Sequence, residues 1–124
     1  MNRYLSILFS GIFVGLVAFP CQLLGASITE KSAAIGEGCI ASGEFSTAMN
    51  FFTTAIGYGS TAVGGGTLAS GIYSTAMGLN TRATGSHSTA MGLATTASGT
   101  SSTATGVSTI AGGHSSFAGG INMQ

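Results

Sequence analysis

Aspartate and tryptophan are missing from this 124-residue sequence, proline occurs once, and only 5% of the residues are charged. Without aspartate, a calcium-binding roll of Asp-bearing nonapeptides is excluded. The remaining acids, Glu30, Glu37 and Glu44, sit early in the chain and offer His87 and His114 no partner at a catalytic spacing. Glycine does not recur at every third residue, so the chain is not collagen-like. The stretches Gly57-Tyr58-Gly59 and Gly64-Gly65-Gly66 have no lysine beside them, which argues against a phosphate loop. Arg3, Lys31 and Arg82 are the only basic residues apart from histidine; they form no patch, and nucleic acid is not expected as a partner. A chain so poor in charge is no solvated disordered tail, yet its apolar share comes from alanine rather than from large core residues. No catalytic residue, cofactor or metal ligand is expected; whatever the chain does, it does with a thin-cored, nearly neutral fold.

The first stretch reads as an export signal. Arg3 precedes an apolar run from Tyr4 to Phe19, followed by Pro20 and then by the small residues Gly25, Ala26 and Ser27. The run is short for the roughly 20 residues that span a bilayer, and it contains Ser6, Ser10, Gly11 and Gly15. Pro20 beside Cys21 makes a poor lipoprotein site. The expected organisation is a signal peptide over 1–26, a lead-in over 27–31, a repeat domain over 32–122 and a tail of 123–124, with no transmembrane segment in the mature chain. Cleavage leaves Cys39 as the one cysteine, so no disulfide can form within the chain.

What is abundant is repetition. From Ser32 the sequence divides without insertion into SAAIGEG, CIASGEF, STAMNFF, TTAIGYG, STAVGGG, TLASGIY, STAMGLN, TRATGSH, STAMGLA, TTASGTS, STATGVS, TIAGGHS and SFAGGIN. The third position is always alanine, and the fifth is glycine except at Asn50. Asparagine tolerates left-handed backbone better than other side chains, so this exception points to a turn requirement. A heptad suggests a coiled coil, but that needs two large apolar residues per unit. Glycine inside a helix costs about 1 kcal/mol relative to alanine, which is prohibitive when repeated in nearly every unit. Five residues of strand followed by a two-residue turn fit instead, with positions one, three and five facing into a narrow coil.

Position four adds a longer period. It reads Ile35, Met49, Val63, Met77 and Met91 in alternate units, with Ser42, Ile56, Ser70, Thr84 and Ser98 between them. The true repeat is therefore fourteen residues, a coil of two short strands, one facing a dry surface and the other facing water. About 6.5 such coils at roughly 4.8 Å each make a rod of roughly 31 Å. Phe51, Leu79, Leu93, Val107 and Ile121 form one turn column, broken by Gly65, which is expected to pack on a neighbouring subunit. Phe45, Tyr58, Tyr73 and His87 form the other; Phe45, Tyr58 and Tyr73 from it, with Arg82 from the exposed strand, are the candidate ligand contacts.

Units such as Ser74-Thr75-Ala76-Met77-Gly78 followed by Thr81-Arg82-Ala83-Thr84-Gly85 resemble the head repeats of YadA-like trimeric autotransporter adhesins. The resemblance covers essentially the whole mature chain. It implies an all-β, single-domain, left-handed parallel β-roll, a hand that periodicity leaves open. It also implies a homotrimer of non-enzymatic heads binding extracellular matrix proteins or the host cell surface. The interface expected on that basis is Thr47, Met49, Thr61, Val63, Thr75, Met77, Thr89 and Met91. The sequence departs from the family's pattern in having threonine where valine is frequent and in showing no stalk or membrane anchor. The expected location is the cell surface or outer membrane as part of a longer adhesin, and otherwise the exterior as a secreted head. A secreted structural or ice-binding solenoid is the alternative, suggested by Thr47, Thr61, Thr75, Thr89 and Thr103. It is disfavoured because these threonines share their face with methionines.

Overall fold

The computed structural model describes residues 31–124; the expected signal peptide, and the lead-in apart from Lys31, lie outside the described residues. Seven five-residue strands are β1 (Ala33–Glu37), β3 (Thr47–Phe51), β5 (Thr61–Gly65), β7 (Thr75–Leu79), β9 (Thr89–Leu93), β11 (Thr103–Val107) and β13 (Phe117–Ile121). Six two-residue strands alternate with them: β2 (Ile40–Ala41), β4 (Thr54–Ala55), β6 (Leu68–Ala69), β8 (Arg82–Ala83), β10 (Thr96–Ala97) and β12 (Ile110–Ala111). The long strands form one parallel sheet and the short strands another, each strand pairing with the one a coil away. The fold is an all-β parallel solenoid of about six turns with a fourteen-residue coil. Where two short strands per coil were expected, there is one long and one short.

Glycine accounts for that inequality. In the long-strand units the fifth residue has φ between 111° and 125°, as at Gly64 (125°), Gly78 (119°) and Gly106 (111°), with Asn50 at 96°. This region is open to glycine and strained for other residues. It carries the strand on to the sixth position, and at the seventh a left-handed residue such as Phe52 (φ 50°), Asn80 (56°) or Ala94 (56°) turns the corner. In the short-strand units the fifth glycine instead begins a turn: the Ser46 amide donates to the Gly43 carbonyl at 3.1 Å, and Ser74 does the same to Gly71. Gly57, Gly71 and Gly85 are buried there, and a Cβ on any of them would run into the backbone of the next coil. The fifth position thus faces inward in the short-strand units, whereas Gly78 and Gly92 of the long strands are exposed. The expected inward triad of positions one, three and five holds for only half of the units.

The interior is a stack of four columns, two of them alanine because each coil has two strands. Alanines from Ala34 through Ala104 are fully buried, one per strand, and beside them run a serine column (Ser46, Ser60, Ser74, Ser88, Ser102) and a threonine column (Thr53, Thr67, Thr81, Thr95, Thr109) headed by Cys39. Two alanine methyls and one threonine methyl per coil bury little area, at about 0.8 kcal/mol per carbon. Cohesion therefore falls on the backbone ladders, such as Thr47 N–H to Ser60 O at 2.9 Å and Leu68 N–H to Thr81 O at 2.9 Å. Ten buried hydroxyls, Thr81 and Ser88 among them, make no hydrogen bond to the described residues. Two others show which way they point: Ser32 Oγ donates to Ala41 O at 2.7 Å, and Thr109 Oγ1 donates to Thr105 O at 3.2 Å.

Candidate functional site

Strand alternation sends the second and fourth positions of each unit, the first and third residues of each long strand, outward. Parallel in-register pairing stacks Thr47, Thr61, Thr75 and Thr89 in one column and Met49, Val63, Met77 and Met91 in the next. The eight residues singled out in the sequence thus lie together on the outer face of the long-strand sheet. On the single chain Met49, Met77 and Met91 remain 37%, 40% and 41% exposed, while Val63 and the threonines are half-buried. Phe51, Leu79 and Leu93 run beside them at the sixth position, exposed as well, with the column interrupted at Gly65. The methionines and the sixth-position side chains together leave a run of exposed apolar side chains along this face. It tapers toward the last coils, where position four becomes Thr105 and Gly119. The Phe117 ring lies over Gly119, where a Cβ would meet it at 2.9 Å.

The second surface is the corner that follows the short strands. Phe45 (φ 60°), Tyr73 (53°) and His87 (58°) occupy the left-handed third place of the turn. Their rings form a continuous ladder with Tyr58: Phe45 to Tyr58 at 5.5 Å edge-on, Tyr58 to Tyr73 at 5.5 Å edge-on, and Tyr73 stacked on His87 at 5.7 Å. Lys31 closes one end, with Nζ 5.2 Å from the Phe45 ring centroid and 3.0 Å from Glu44 Oε1. The Tyr58 hydroxyl is held above its ordinary pKa, chiefly by partial desolvation and then by the Tyr73 hydroxyl and the Glu44 carboxylate beside it.

Three of the four candidate ligand residues, Phe45, Tyr58 and Tyr73, are therefore brought together. Arg82 stands elsewhere, exposed on β8 in the second-position column of the short-strand sheet, with Leu68 and Thr96 as its register neighbours. Lys31 and Glu44 belong to the corner but were not singled out as site residues. The signal was present for Lys31, which precedes Phe45 by one fourteen-residue coil and so falls in the same column. His114 Nδ1 lies 2.8 Å from Ser115 Oγ on the exposed corner of a later coil. Among the described residues no three His, Cys, Asp or Glu side chains gather as a metal site, and no helix is long and apolar enough to cross a membrane.

The architecture is that of a repeat rod presenting surfaces rather than a cleft. Residues 55–81, 69–95 and 83–109 match the YadA head domain repeat, each match covering two copies. The starts of these matches are one coil apart, the same step that the strand pairing takes. Residues 55–109 carry YadA-like head repeats. A search of curated proteins finds no match to it.

Proposed function

We infer that the protein is the non-enzymatic head of a surface adhesin, working as a homotrimer that binds extracellular matrix proteins or ligands on a host cell surface. The observation that carries this reading is the YadA head repeat across 55–109, laid on a rod whose long-strand face is apolar and uncovered. Thr47, Met49, Thr61, Val63, Thr75, Met77, Thr89 and Met91 are the subunit interface. Burying one such methionine or valine stabilises an assembly by roughly 1.5–3 kcal/mol, and the column repeats that gain in successive coils. The left-handed winding, export to the cell surface and removal of residues 1–26 belong to the same reading. The aromatic corner of Phe45, Tyr58 and Tyr73 supplies the ligand contact, with Arg82 on a neighbouring surface; rings there join apolar area to a polar tip.

A binding panel tests the adhesive role. The assembled mature protein should be retained on at least one of collagen, fibronectin, laminin or whole cells, and retention should weaken when Tyr58 and Tyr73 are both replaced by alanine. An assembled rod that binds none of these would remove the basis for calling it an adhesin.

A further inference from the structure

We propose that Tyr58 and Tyr73 form an oxidative cross-linking site, in which a one-electron oxidant of the peroxidase class, using hydrogen peroxide, joins the two rings into dityrosine and staples adjacent coils of one chain. The site is independent of what the head binds and of how many chains assemble.

Three features of the corner favour it. First, the two tyrosines are set one residue out of the fourteen-residue register, Tyr58 at the sixth position of its unit and Tyr73 at the seventh. In-register rings would stack one above the other; the offset instead turns them edge to face, with centroids 5.5 Å apart and planes at 81°. Second, Gly59 provides the seat. A Cβ at that position would lie 2.7 Å from the Cδ1 and Cε1 atoms of Tyr73, so only glycine leaves the ring room beside Tyr58. Third, both phenols can be reached by an oxidant, at 41% and 54% exposure.

The chemistry balances within the pair and its oxidant. Each phenol gives up one electron and its hydroxyl proton to become a phenoxyl radical. The radicals join through a ring carbon ortho to each oxygen, and the hydrogens displaced from those carbons move to the oxygens as the rings regain aromaticity. The chain loses two hydrogen atoms, and hydrogen peroxide takes the two electrons and two protons to become two molecules of water. Cys39, the one cysteine among the described residues, is buried and unpaired, so a carbon–carbon bond at this corner would be a covalent tie between coils that a disulfide within this region cannot supply.

The test treats the full chain with a plant haem peroxidase and hydrogen peroxide, then separates the products on a denaturing gel. Dityrosine fluorescence is expected in the single-chain band, with a peptide map joining the fragment of Tyr58 to that of Tyr73 at a mass two hydrogens below their sum. Tyr58→Phe and Tyr73→Phe each keep a ring in the ladder and should each abolish that product. Unfolding the chain in urea before treatment should lower its yield, because the offset pairing is lost. Fluorescence confined to multi-chain bands, a single-chain product that persists in Tyr58→Phe, equal yield from folded and unfolded chain, or no product at all would each overturn the proposal.

Discussion

The long-strand and short-strand sheets are built from the same heptad, yet one presents a broad apolar face and the other a narrow, mostly polar one. The difference lies at the fifth position. Gly78 with φ 119° keeps its strand going for another residue and stays exposed, while Gly85 is buried and starts a turn; both pack against the carbonyl of the next coil. A longer strand means two full outward columns, at the second and fourth positions, and room for a sixth-position column beside them. Apolar residues follow that geometry: Met77 and Leu79 lie on β7, whereas the neighbouring short-strand unit offers Arg82 and Thr84. A repeat of one composition thus yields two surfaces, because one glycine per unit works in two backbone conformations.

Substitutions at these glycines should break the comparison most severely. Gly85→Asn pushes a side chain into the backbone of the next coil and is expected to abolish folding, read as loss of the cooperative thermal transition. Gly78→Asn also aims a Cβ at the Gly92 carbonyl of the next coil, but it places asparagine where Asn50 is already accommodated with φ 96°, at an exposed position. It should leave a folded protein destabilised by about 1–3 kcal/mol, the usual range for a strained backbone site. If both substitutions are equally damaging in a denaturation series, the two glycine roles are not distinct.

A gentler probe lies in the core. Thr81 Oγ1 is buried without a partner among the described residues, and removing such a group while keeping its shape is close to neutral or favourable. Thr81→Val should leave stability unchanged or raise it by up to about 1 kcal/mol in urea unfolding. A loss above about 2 kcal/mol would mean that the hydroxyl is hydrogen-bonded in solution. The smallest effect is expected at the exposed corner: Lys31→Ala removes the ion pair with Glu44 and should cost no more than about 1 kcal/mol, less at high salt.

Much of this was legible in the sequence because a solenoid repeats its physics every coil. The alanine at each third position gave the core column, and the alternation of Met77 with Thr84 gave the fourteen-residue coil and the outward apolar column. The unequal strands were not legible, since Gly78 and Gly85 are the same letter and only backbone φ separates them. The aromatic ladder was half legible: Phe45, Tyr73 and His87 share a column by spacing, but Tyr58 joins them from the position before. That contact depends on Gly59 leaving space for a ring, which no periodicity reveals. Arg82 was legible as a residue of the exposed strand, in one column with Leu68 and Thr96, and it lies there on β8, apart from the rings.

The central claim is that the long-strand face is a subunit interface, and sedimentation of the mature protein at low micromolar concentration tests it most directly. A trimer is expected, and Met77→Glu combined with Met91→Glu should abolish assembly and folding together by setting like charges against one another across the interface. A stable, folded monomer of the unmutated protein at that concentration would contradict the account.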